Sequence, residues 1–96
     1  VWAWLQRQRN RRRLRTQAVL LNLYGLALQH DDLQYPHNME VLRAMNRYQG
    51  GVRYSLQTLS SAGLVRETTP DHWALTDKGA ARARQLEAEH HRSMSA

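Results

Sequence analysis

Between Thr16 and about His30 the chain offers a helix that is apolar on almost every side. Leu14, Ala18, Leu21, Gly25 and Leu28 recur at three- and four-residue spacing, which predicts one helical stripe. Val19, Leu20, Leu23 and Leu26 widen the apolar surface well beyond that stripe. A helix with so little polar circumference is covered on several sides. In a chain of 96 residues this leaves two arrangements: a central helix wrapped by its own domain, or a helix that also contacts another subunit. The length excludes barrel enzymes and dinucleotide-binding folds, which need roughly 150 residues or more. A domain this small buries only about 60–65% of its unfolded surface, which favours a partner. Because the sequence has no cysteine, a disulfide scaffold, a Cys-ligated zinc finger and a thiol nucleophile are all excluded.

The charge is placed unevenly. Lys and Arg number 14 against 8 Asp and Glu, a net charge of +6. Arg7, Arg9, Arg11, Arg12, Arg13 and Arg15 lie in the first fifteen residues, which contain no acid. The remainder is neutral, so residues 1–15 form an arginine-rich arm or an extension of the first helix. Guanidinium stays ionised and offers a planar fork of donors, which suits phosphate. An arginine run before the apolar stretch 18–28 resembles a secretory signal only superficially. The stretch is too short to span a bilayer. It is interrupted by Asn22, Tyr24 and Gly25, and Gln29-His30-Asp31-Asp32 follows where a small-x-small cleavage site belongs. Trp2, Trp4 and Leu5 form an apolar knot expected to pack on this domain or on a second copy.

The remaining elements follow from local signals. Asp31-Asp32 ends the first helix, and Leu33-Gln34-Tyr35 reads as extended before Pro36. Asn38 caps a second helix with Glu40 in its first turn, and Met39, Val41, Leu42, Met45 and Tyr48 are its apolar positions. Gln49-Gly50-Gly51 is a turn. A third helix is predicted over 52–62, with Val52, Leu56 and Leu59 as its buried stripe and Gly63 as a left-handed cap. Residues 64–68 and 72–76 form a hairpin around Thr69-Pro70-Asp71. Trp73 faces its apolar side. Thr76 or Asp77 caps a last helix through about Glu89, and residues 90–96 read as a polar tail.

Two helices joined by a glycine turn, then a hairpin, then a helix give a mainly α fold with a small β-hairpin (α+β). The order is that of a winged helix-turn-helix with an arginine-rich extension, the domain covering residues 16–89. The residues also carry a family resemblance. Gly51-Val52-Arg53-Tyr54-Ser55-Leu56-Gln57-Thr58-Leu59-Ser60-Ser61-Ala62-Gly63-Leu64-Val65, followed by Trp73-Ala74-Leu75-Thr76-Asp77-Lys78-Gly79, resembles winged-helix regulators of the PadR, MarR and ArsR type. That resemblance implies double-stranded DNA binding, usually as a homodimer on a palindrome, through a recognition helix at 52–62 and a wing at 64–76. The chain departs from the pattern at the wing, where only Arg66 is cationic against Glu67 and Asp71, and in its short, alanine-rich last helix.

On the third helix, Arg53 is a candidate for guanine readout or a phosphate contact, and Gln57, one turn on, for pairing with adenine. Tyr54 and Ser55 are candidates for phosphate, with Tyr54 equally suited to pack on the preceding helix. Arg43 and Arg47, four apart, are candidates for gripping the backbone beside the groove, and Arg66 for a phosphate contact from the wing. The five histidines are scattered or adjacent, which does not predict a metal site. No catalytic arrangement, cofactor motif or small-molecule site stands out. The expected function is therefore that of a small cytoplasmic, nucleoid-associated transcriptional regulator, non-enzymatic, with duplex DNA and a second copy as partners. The alternatives are low-specificity DNA binding in replication, partition, recombination or chromatin, and a winged-helix protein-interaction module.

Overall fold

One long helix organises the protein. The structure, a computed structural model, describes residues 2–46 and 51–95; of residues 2, 4–12 and 93–95 only the backbone is described. Helix α1 spans Trp2–Gln29, so it runs back through the arginines without a break. Its 28 residues measure about 42 Å at 1.5 Å per residue. That equals the longest dimension of the molecule, 42 Å. The second half of α1 carries the packing of the core. Val19, Leu20, Leu23, Tyr24 and Ala27 are buried, one face of the helix set against its neighbours. α1 ends where Asp31 adopts a left-handed φ of 56° and its N–H donates to the Leu28 carbonyl at 3.4 Å.

Strand β1 is the pair His37–Asn38 and helix α2 is Met39–Met45. The Asn38 side chain accepts from the Glu40 N–H at 2.8 Å, so the expected cap forms. Of the apolar positions expected there, Met39 and Leu42 are buried, whereas Val41 and Met45 are exposed. A helix of seven residues has room for one inward stripe only. Tyr48, Gln49 and Gly50 lie outside the described residues. Helix α3, Val52–Ser61, buries Val52, Ser55, Leu56 and Leu59.

Strands β2, Val65–Thr69, and β3, His72–Leu75, form the expected hairpin. Pro70-Asp71 makes the turn, with Asp71 at a φ of 62°. β1 adds to β3 as a third, antiparallel strand, giving the order β1-β3-β2 with His37 opposite Trp73. The sequence pattern suggested an extended piece at Leu33-Gln34-Tyr35; that segment is a turn, and the strand lies further on, at His37. In the turn the Asp32 carboxylate accepts from the Gln34 N–H at 3.0 Å. Helix α4 covers Asp77–Ser95 and continues past the expected end at Glu89. The fold is thus mainly helical with a small three-stranded antiparallel sheet, an α+β arrangement.

The two motifs of the sequence meet at one joint. Gly63, at a φ of 77°, and Leu64 close α3 by donating to the Ser60 and Leu59 carbonyls at 3.0 and 2.9 Å, a Schellman ending. Thr76 then caps α4. Its hydroxyl accepts from the Gly79 N–H at 3.0 Å and donates to the Gly63 carbonyl at 2.6 Å. The Lys78 ammonium donates to the Ala62 carbonyl at 3.1 Å, at the C-terminal end of α3. A Cβ on Gly79 would lie 1.8 Å from the Leu64 carbonyl oxygen, so no larger residue fits without moving backbone. These residues clamp the start of α4 to the end of α3, which fixes how α3 is held.

Candidate nucleic-acid interface

Helix α3 has two opposite faces. Val52, Ser55, Leu56 and Leu59 face the core, while Arg53, Tyr54, Gln57 and Ser60 are exposed. The exposed positions fall three, four and seven residues apart, so they share one polar surface. Tyr54 is 57% exposed. Ser55 stands apart from the exposed positions: it is 3% exposed on the core side of α3, so its hydroxyl is not presented on the same surface. Thr58 also lies outward, but its hydroxyl donates to the Tyr54 carbonyl at 3.0 Å and is held by its own helix.

Arg53 stands in the first turn of α3 and reaches the turn of the hairpin. Its guanidinium lies 3.4 Å from an Asp71 carboxylate oxygen, with both side chains about half exposed. Such a surface pair is worth roughly 0–1 kcal/mol. Arg53 is therefore parked on Asp71 and exchangeable. Asp71 is itself placed by its backbone: its N–H donates to Glu67 Oε2 at 3.0 Å and its carbonyl accepts from the Met39 N–H at 2.8 Å. By sequence Asp71 is only a turn residue. No local signal marks a partner eighteen positions from Arg53.

Arg43 is exposed on α2 and pairs with Glu40 at 2.8 Å, an i, i+3 contact within the helix. Arg47 lies outside the described residues. Arg66 is exposed on β2. In the arm, the side chains of Arg7, Arg9, Arg11 and Arg12 are likewise not among those described, leaving Arg13, which is exposed, and Arg15, which is half-buried. Both border α3. A groove of about 320 Å³, almost wholly apolar, runs between α1, α3 and α4, and Arg13, Tyr54, Thr58 and Leu86 line it. A second cleft, of about 240 Å³, is lined by Arg15, Gly51, Tyr54 and Ser55. The Arg15 guanidinium comes within 3.7 Å of where a Cβ on Gly51 would sit. Tyr54 thus lines both spaces, one with Arg13 and the other with Arg15 of α1.

A small aromatic cluster forms where the turn after α1 meets β1. His30 stacks on Tyr35 with ring centroids 4.1 Å apart, and His37 tilts against both at 5.4 Å. Burial, and secondarily the nearby His30, hold the His37 pKa below the ordinary 6.5. Trp73 is buried beside it in the sheet register, as its alternation predicted. Among the described residues, no three His, Asp or Glu side chains gather as a metal site, and no helix is long and apolar enough to cross a membrane. Comparison with family models, curated proteins and solved structures returned no match to this chain.

Proposed function

We propose that this protein binds double-stranded DNA as a small transcriptional regulator of winged helix-turn-helix architecture. In this proposal α3 enters the major groove, which is about 12 Å wide. Arg53 and Gln57 meet base edges, Tyr54 braces the backbone, and β2–β3 lies alongside as the wing with Arg66. The arginines of α1, together with Arg43 and Arg47, contact phosphates. The proposal is one of binding in the cytoplasm, on the nucleoid, and no reaction is assigned. One observation carries it. The core is built by the inner face of α3, while its outer face is polar and bordered by Arg13 and Arg15 of the charged half of α1. A surface that combines side chains able to read bases with flanking guanidinium groups suits a polyanion with readable edges.

Fluorescence anisotropy on a labelled duplex tests this. Binding is expected at low salt. After selection of a preferred site, Arg53→Ala and Gln57→Ala should each reduce its advantage over random duplex by about 1–3 kcal/mol. No binding to any duplex at low salt would sink the proposal and favour a protein-interaction module.

A second reading has its own support. Arg53 and Arg43 each face a carboxylate, at 3.4 and 2.8 Å. The Asp71 pair occupies the guanidinium donors with which Arg53 would read a base edge, leaving sequence-independent phosphate contacts from the arginines of α1, which favours low-specificity duplex binding. Equal affinity for selected and random duplex would decide for it.

A further inference from the structure

One seam runs along α1 on the side away from the core. Positions 7, 11, 14, 18, 21, 25 and 28 recur four and three residues apart, the heptad period by which one helix meets another. The core uses the opposite side of the helix, through Val19, Leu20, Leu23 and Ala27. Leu14 and Leu28 are 64% and 50% exposed, Gly25 is exposed, and Ala18 and Leu21 are half-buried. Glycine is a poor helix former, yet a Cβ on Gly25 would meet nothing within 4 Å, so no described neighbour requires one there. It leaves a notch between Leu21 and Leu28. Toward α4 the seam widens into a groove of about 410 Å³, to which Leu86, Glu89 and His90 contribute. The seam also changes character along its length. Arg7 and Arg11 hold its first two positions, and leucine, alanine and glycine hold the other five.

We propose that this seam receives an amphipathic helix of another protein, apolar where it faces positions 14 to 28 and acidic where it faces positions 7 and 11. Both halves must be matched at once. A nucleic acid would meet the arginines and leave Leu14, Leu21 and Leu28 in water. A wholly apolar helix would cover the leucines but take water from two guanidinium groups with no anion in its place, which is costly. A second copy of α1 does no better. α1 contains no acid, so no register of one α1 on another brings a carboxylate to positions 7 and 11. A partner with Asp or Glu at those places makes charge-assisted pairs that fix the register, while a large side chain of the partner fills the notch at Gly25. From position 7 to position 28 the contact measures about 32 Å at 1.5 Å per residue.

The contact is measured without DNA, so its outcome is separate from that of duplex binding. The probe is a fluorescein-labelled four-heptad peptide, made in both chain directions. It carries leucine at the places facing positions 14 to 28 and glutamate at those facing positions 7 and 11. Anisotropy with the full chain should show one direction bound at least about tenfold tighter than the same peptide with lysine for glutamate, or with serine for leucine. Arg7→Glu combined with Arg11→Glu should turn the preference toward the lysine peptide. Leu14→Glu should weaken the leucine–glutamate peptide by at least about tenfold, with helical circular dichroism retained because the position is open in the single chain. Equal binding of the serine peptide would reduce the contact to the attraction of an acid by a basic chain and overturn the proposal. So would no binding in either direction, a charge preference that survives the double substitution, or binding indifferent to Leu14→Glu. Dimerisation of the chain in sedimentation equilibrium, abolished by Leu14→Glu, would give the seam to a second copy and overturn it as well.

Discussion

Residues 16–29 and residues 2–15 belong to the same helix yet answer to different forces. The C-terminal half of α1 is apolar nearly all round, and its inner face builds the core with α3, α2 and the sheet. The N-terminal half carries six arginines and no acid. Its backbone is helical because the C-terminal half is anchored and propagation adds a hydrogen bond per residue, a cheap extension of a nucleus already formed. Arginine is also a good helix former. Stability should therefore reside in one half and electrostatic affinity in the other, with α3 poised between them.

The largest expected effect concerns that division. Leu23 is fully buried, so Leu23→Ala should cost about 2–5 kcal/mol in chemical denaturation. Arg13→Gln, on an exposed site earlier in the same helix, should change stability by no more than about 0.5 kcal/mol. Similar losses for both would erase the distinction between the halves. A smaller effect concerns strand β1. His37 has its pKa lowered mainly by burial, so the unfolded chain takes up a proton that the folded one resists. Its contribution to stability is complete above pH 6.5 and is lost as pH falls from there through the lowered folded value. Thermal unfolding followed from about pH 7.5 to about pH 5 should show this decline, and His37→Gln should flatten it; an unchanged slope would remove His37 as the cause.

Much of this architecture was legible where the signal was local. Gly63 needed a left-handed φ, Asn38 had an N–H two residues on to accept from, and the hairpin had its proline turn. The joint of Thr76, Lys78 and Gly79 was visible as a motif, though its work is to lock α4 to α3. What escaped was non-local or degenerate. β1 is two residues long and exists because His37 pairs with Trp73, far along the chain. The inward face of α1 could not be chosen from periodicity because both faces are apolar; α3 and the sheet select Leu20 and Leu23 over Leu14 and Leu28. Ser55 followed a polar reading of its type, but it lies between Val52 and Leu59 on the inner face. Within the candidate site, the face shared by Arg53, Tyr54 and Gln57 was legible from helical spacing. The Arg53–Asp71 pair and the approach of Arg15 to Gly51 depend on tertiary placement alone.

The division between the two halves of α1 is tested most directly by the salt dependence of DNA binding. Binding of the full chain to a duplex, measured across a range of salt concentrations, should show a steep log–log slope. Replacing Arg9, Arg11, Arg12 and Arg13 by glutamine should make it shallower by about 0.9 for each phosphate no longer neutralised. The preference for a selected site over random duplex should survive, since α3 is untouched. Superimposable slopes for the two proteins would contradict the assignment of phosphate binding to the charged half of α1.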